Sequence, residues 1–119
     1  MRYNNRFKEL KRKYFGIYNY VIDREVDSML YIISENDSLY QKVEQIVDFE
    51  NRSIKPSILE SSILSSSEKA LIRLAFNLFN GYCNESKSTY FTPSIIFWNL
   101  DSINTEIAIN ALRIRYQHL

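Results

Sequence analysis

SSSEKALIRLAFNLFNG, from Ser65 to Gly81, is apolar nearly all the way round when wound as a helix. Between Ala70 and Phe79 only Arg73 and Asn77 are polar. Leu71, Leu74, Ala75 and Leu78 cover one side, and Ile72, Phe76 and Phe79 cover the next. A surface helix needs one apolar stripe, so a segment apolar over most of its circumference belongs inside a core. Its ends are marked as well. Ser65 and Glu68 have capping-box spacing, in which the serine oxygen accepts from an orphan N–H and the glutamate reaches back to the cap. Gly81 stands where a left-handed C-terminal residue is wanted. The run predicts a central helix over about 66–80 in an all-α protein of five or six short helices.

Upstream, the apolar spacing predicts three longer helices and one short one. Residues 2–16 place Phe7, Leu10 and Tyr14 on one face, and 21–35 do the same with Val26, Met29, Leu30 and Ile33. Asp23 and Glu25 suit the positive end of the second helix, with Arg24 as their neighbouring counter-charge. After a turn at Asn36–Ser38, a third helix is expected from Leu39 to about Asn51, carried by Leu39, Val43, Ile46 and Val47. Pro56 then opens a short helix, Ser57–Leu64, burying Ile58, Leu59 and Ile63. Downstream, Tyr82–Tyr90 is polar and reads as a loop. Thr92 and Pro93 restart a helix over Ser94–Leu100. The last helix, 103–117, turns Ile103, Ile107, Ala111 and Ile114 inward.

A chain of 119 residues points to one domain, 1–119, large enough for a real core. The net charge of +1 argues against a generic polycation or polyanion mimic. Two glycines leave no material for a P-loop or dinucleotide fingerprint. The single cysteine, Cys83, cannot form an intramolecular disulfide, which suits a reducing compartment. No apolar run approaches the roughly 20 residues that span a bilayer. A cytoplasmic protein with no membrane partner is expected.

Catalytic parts are scarce. The one histidine, His118, sits at the frayed end of the chain. Zinc lacks ligands, and no cofactor is implied. Asp48 could meet Glu44 or Asp27 as an acid–base pair, but no spacing points to it. The chain is therefore expected not to be an enzyme.

Three groups are candidates for binding. Lys69, Arg73, Asn77 and Asn80 fall at i, i+4, i+8 and i+11 along the central helix. They are either its solvated side or a cleft-facing row that holds a partner. Tyr90, Phe91, Phe97 and Trp98 flank the polar loop, either as core aromatics or as interface anchors. Arg2, Arg6, Lys8, Lys11, Arg12 and Lys13 make the first helix the most basic segment, either a solvated face or a patch for nucleic acid, to which Arg113 and Arg115 could add.

The order of motifs resembles a family of small proteins of unknown function found in Firmicutes genomes and their phages and mobile elements. The resemblance rests on SSEKALIR followed by LAFNLFNG at Leu74–Gly81, on Asp23–Glu25, on LYIIS at Leu30–Ser34 and on NDSLYQKVEQIVDFE at Asn36–Glu50. IKP at Ile54–Pro56 and LDSIN…AINALRIRY at Leu100–Tyr116 complete it. It implies a compact single domain and carries over neither an activity nor site residues.

The leading expectation is a protein-interaction module. A finer expectation is a regulator or inhibitor of a host protein, encoded by a mobile element, the mobile-element origin being what the resemblance implies. The alternative is a nucleic-acid-binding protein using the basic first helix. Self-association is left open.

Overall fold

The computed structural model describes residues 3–17 and 21–117. Among them are six α-helices: α1 (Asn5–Phe15), α2 (Arg24–Glu35), α3 (Asp37–Gln41), α4 (Ser66–Asn80), α5 (Pro93–Trp98) and α6 (Ser102–Tyr116). Short 3-10 turns lie at Val43–Gln45, Pro56–Glu60 and Glu85–Phe91. A two-stranded antiparallel hairpin, β1 (Val47–Asp48) and β2 (Ser53–Ile54), pairs Val47 with Ile54 and Asp48 with Ser53. The fold is all-α with this hairpin as its sheet. No helix among the described residues is long and apolar enough to cross a membrane.

Both ends of α4 form as its sequence demands. Glu68 N–H donates to Ser65 Oγ at 3.2 Å, and Ser65 N–H donates to Glu68 Oε1 at 2.9 Å, closing the capping box. Gly81 has a φ of 77°, and its N–H reaches the Asn77 carbonyl at 2.8 Å. Leu71, Ile72, Ala75 and Phe76 are wholly buried. Glu68 is also a junction, because its Oε2 accepts from Ser38 Oγ at 2.6 Å and from Lys42 Nζ at 3.1 Å. Burial alone would raise this carboxyl. Hydrogen bonds from Ser38, the Ser65 backbone, Lys42 and the Ser65 side chain outweigh that effect and hold it at about 2.

The helix α4 shares the centre with α2, which packs on α1, α3, α4 and α6. Every residue of α2 from Val26 to Ser34 is buried. Three of these are polar, and each is answered. Ser28 and Ser34 donate back to the Glu25 and Tyr31 carbonyls at 3.1 and 2.9 Å. Asp27 meets Lys11 of α1. The lysine Nζ lies 3.0 Å from Oδ1 but directs its hydrogen bond at Oδ2, 3.2 Å away. Both side chains are almost fully enclosed. Lys11 also donates to the Val21 carbonyl at 2.8 Å, and Asp23 N–H donates to Asp27 Oδ2 at 3.3 Å. Burial still pushes the Asp27 carboxyl above its ordinary range, against the pull of Lys11.

Elsewhere the backbone departs from the expected elements. The third helix stops at Gln41 rather than running to Asn51. Val43 opens a 3-10 turn, Ile46 follows it with a right-handed helical backbone, and Val47 enters an extended strand, which suits its β-branched side chain. Asp48 then fixes a turn, with Oδ1 accepting from Asn51 N–H at 3.0 Å and Oδ2 from the Asn51 amide at 2.9 Å. Arg52 takes a positive φ of 52°, and Tyr14 OH clamps its carbonyl at 2.9 Å. Leu39, Ile46 and Val47 are still buried, through a different backbone path. Arg24 does not pair with its acidic neighbours. It reaches the Ile114 and Gln117 carbonyls at 3.2 and 2.6 Å and so caps α6. Ile63 and Ile103, expected inside, are exposed. The segment 61–64 after the short 3-10 turn is irregular, so the helical phase that would have buried Ile63 is lost. Ile103 lies in the first turn of α6, where its neighbour Asn104 takes the buried position and accepts from the Asn36 amide at 3.1 Å.

Two stability predictions follow from these charges. Lys11→Met leaves Asp27 buried and unpaired and is expected to cost about 3–5 kcal/mol in urea unfolding, whereas the Lys11→Met/Asp27→Leu pair should recover most of it. A single-variant loss below about 0.5 kcal/mol would mean that the pair is solvated. For Glu68 the folded value of about 2 lies below the ordinary 4.5, so folding favours the ionised form. That stabilisation is complete above 4.5 and is lost as pH falls toward 2. Melting temperatures should therefore fall more steeply over this window in the wild type than in Glu68→Gln. Parallel curves would remove the hydrogen-bonded carboxylate from the account.

Candidate functional site

The polar row of α4 divides into two halves with different tasks. Asn77 and Asn80 serve the end of the helix. Asn77 Nδ2 donates to the Tyr82 carbonyl at 3.3 Å, and Asn80 Oδ1 accepts from Tyr82 N–H at 3.0 Å. Lys69 and Arg73 instead line a cleft of about 310 Å³ together with Leu59, Glu60, Ser66, Lys87, Tyr90 and Asn99. Ser66, Lys69 and Arg73 stand at i, i+3 and i+7, which sets them along one helix face.

The opposite wall is held by aromatic contacts. Tyr82 packs edge-on to Phe76 of α4, with centroids 6.0 Å apart, and to Phe91 at 5.8 Å. Phe91 is thereby half-buried, and its neighbour Tyr90 is left facing the cleft. The Arg73 guanidinium carbon lies 4.8 Å from the centre of the Tyr90 ring. Burial lowers the Arg73 pKa from its ordinary value, with the Tyr90 and Glu60 charges acting the other way. Arginine nonetheless stays charged. Lys87 Nζ lies 3.0 and 3.3 Å from the two Glu60 oxygens, and it holds that carboxyl below its ordinary range.

At the end of the cleft, α5 sorts its side chains sharply. Ile96 is buried and Phe97 packs partly against the core. Trp98 is 87% exposed and Ile95 is at the surface with it, at i and i+3. Asn99, next in the chain, donates to the Ile95 carbonyl at 2.9 Å and lines the cleft. The four aromatics singled out by sequence thus split into two that pack (Phe91, Phe97) and two that face outward (Tyr90, Trp98).

The basic residues of α1 are largely engaged. Arg6 binds Asp37 at 2.8 Å and lies over the Tyr40 ring. Lys11 is buried against Asp27, and Lys13 pairs with Glu44 above Phe49. Lys8 and Arg12 are exposed, and Arg2 lies outside the described residues. Arg115 donates to the Leu78 carbonyl at 2.9 Å, at the end of α4, and Arg113 to Asn110 at 3.2 Å. The carboxylates considered as acid–base partners are dispersed: Asp48 is held by Asn51, Asp27 by Lys11 and Glu44 by Lys13. His118 lies outside the described residues.

Glu60, Lys87 and Asn99 were not singled out by sequence. The Glu60–Lys87 pair spans 27 residues, and no local pattern connects its members. A second cleft, of about 470 Å³, lies between α2 and α6 and is lined by Tyr31, Glu35, Ile103, Glu106 and Asn110 among others. Its carboxylates give it the opposite sign.

No curated protein and no solved structure matches the chain. Residues 2–119 match the model of a family of unknown function, DUF6075, and the chain belongs to that family.

Proposed function

We propose that this protein works by binding another protein, through the face formed by α5 and the cleft beside α4, and not by catalysis. The observation that carries this reading is Trp98, 87% exposed on a helix whose neighbouring Ile96 and Phe97 turn inward. Burying an indole is worth several kcal/mol at an interface, and tryptophan is among the residues most enriched at binding hot spots. Ile95 widens the same apolar spot. The engagement of Arg6, Lys11 and Lys13 with acidic partners favours this reading over nucleic-acid binding by α1. The sequence resemblance to a family carried by Firmicutes and their mobile elements extends the proposal: the partner is a host protein that this one regulates or inhibits, in the cytoplasm.

Trp98→Ser should leave the melting temperature within a few degrees of wild type, because the side chain packs against little, and should abolish capture of the partner from producing-cell lysate treated with nuclease. Lys8→Glu/Arg12→Glu should leave capture intact. Recovery of nucleic acid that vanishes with the charge reversal, and not with Trp98→Ser, would replace protein binding with the nucleic-acid reading.

A further inference from the structure

We infer that the cleft beside α4 receives a side-chain carboxylate from an acidic segment of the partner protein, with Arg73 and Lys69 as its receptors; this rests on the reading of the α4–α5 face as a protein-binding surface. The cleft contains three cations, Lys69, Arg73 and Lys87, and one anion, Glu60. Glu60 is already matched to Lys87 at 3.0 Å. Two positive charges remain. Among the described residues, Arg73 has the Tyr90 ring beside it at 4.8 Å but donates no hydrogen bond and joins no ion pair. Lys69, one turn earlier on the same face, has no ion-pair partner among them either.

That arrangement is unusual for a half-buried arginine. A guanidinium carries five N–H donors in its plane, and partly enclosed donors are ordinarily paired. An aromatic ring answers the charge without accepting those in-plane hydrogens in the way an oxygen does. The donors therefore open onto the cleft. The guanidinium fork matches a carboxylate bidentately. With Glu60 on the wall, a singly charged carboxylate meets less repulsion than a doubly charged phosphate. A volume of about 310 Å³ admits a side chain and its neighbours. Nucleic acid would require further cations tracking away from the cleft, whereas the lining residue Asn99 is joined to Trp98 in the chain and to Ile95 by a hydrogen bond, both of them exposed and apolar.

The test uses the full chain and four probes: a capped tetraglutamate peptide, its tetraglutamine counterpart, inorganic phosphate and a short oligothymidylate. Trp98 is the one tryptophan, so its emission reports binding without a label, and the Arg73 Nε–H resonance reports the cleft itself. The glutamate peptide should shift the Arg73 resonance saturably and bind at least ~10-fold more tightly than the glutamine peptide, the scale of one charge-assisted contact. Arg73→Gln should remove that preference and Lys69→Gln should weaken it, with circular dichroism unchanged. If Arg73→Gln does not fold, Lys69→Gln and the wild-type resonance still decide. Equal binding of the two peptides, an unmoved Arg73 resonance at millimolar peptide, or displacement of the peptide by phosphate or oligothymidylate would overturn the assignment. Trp98-dependent capture that survives such a failure leaves the protein-binding face standing without an acidic ligand, whereas loss of both removes both.

Discussion

The Lys11–Asp27 pair is the constraint on which the architecture depends. The helix α2 is buried on all sides from Val26 to Ser34, and a helix in that position is expected to be apolar. It carries an aspartate instead. An isolated carboxylate there would be far too costly to remain ionised, so α1 must dock in the one register that delivers Lys11 Nζ to it. The same ammonium takes the Val21 carbonyl and so ties down the chain just before α2. A buried pair of this kind is poor evidence for net stability, because desolvation opposes it, and the raised Asp27 carboxyl expresses that opposition. Its consequence is specificity, since a slipped α1 would bury two unpaired charges.

From that centre the site is placed by a chain of smaller constraints. The α4 capping box directs Glu68 toward Ser38 and Lys42, which locks the start of α4 against α3. At the other end, Gly81 turns the chain and Tyr82 docks between Phe76 and Phe91. Phe91 fixes the 85–91 turn, and that turn carries Tyr90 to Arg73 and Lys87 to Glu60. The cleft is thus a by-product of how α4 is terminated. Its walls are secured by core aromatics, while its polar lining contributes little to the packing.

The helices with strong punctuation were legible in the sequence. Ser65, Glu68 and Gly81 delimit α4, because capping is a local interaction written in adjacent residues; Asp23, expected as a charge inside the first turn of the second helix, instead stands before it as the N-cap. The equal centrality of α2 was hidden. Its serines and Asp27 give it the look of a one-sided helix, and what answers them lies in the backbone or in Lys11, 16 residues away. The stretch after Gln41 misled for a related reason. Leu39, Val43, Ile46 and Val47 satisfy a helical period, but Leu39 falls in α3, Val43 in a 3-10 turn and Val47 in the hairpin, where the Asp48–Asn51 turn reverses the chain. In the candidate site, Lys69, Arg73, Tyr90 and Trp98 could be named from spacing and composition. Glu60, Lys87 and Asn99 could not, since the fold alone brings them together.

What distinguishes the α4–α5 face is that its exposed chemistry is not needed by the fold. Arg6, Lys11, Lys13, Arg24, Lys42 and Arg115 all have definite acceptors, and together they dock α1, cap α6 and brace α3 and α4. Arg73 and Lys69 do none of this. Trp98 stands apart in the same way, because Ile96 and Phe97 already attach α5 to the core. An exposed indole and a partly desolvated cation are each unfavourable, or at best neutral, for an isolated chain. Both belong to the surface on which the proposed partner, presenting apolar surface and a negative charge together, would dock, beside a cleft whose own anion is already matched to Lys87.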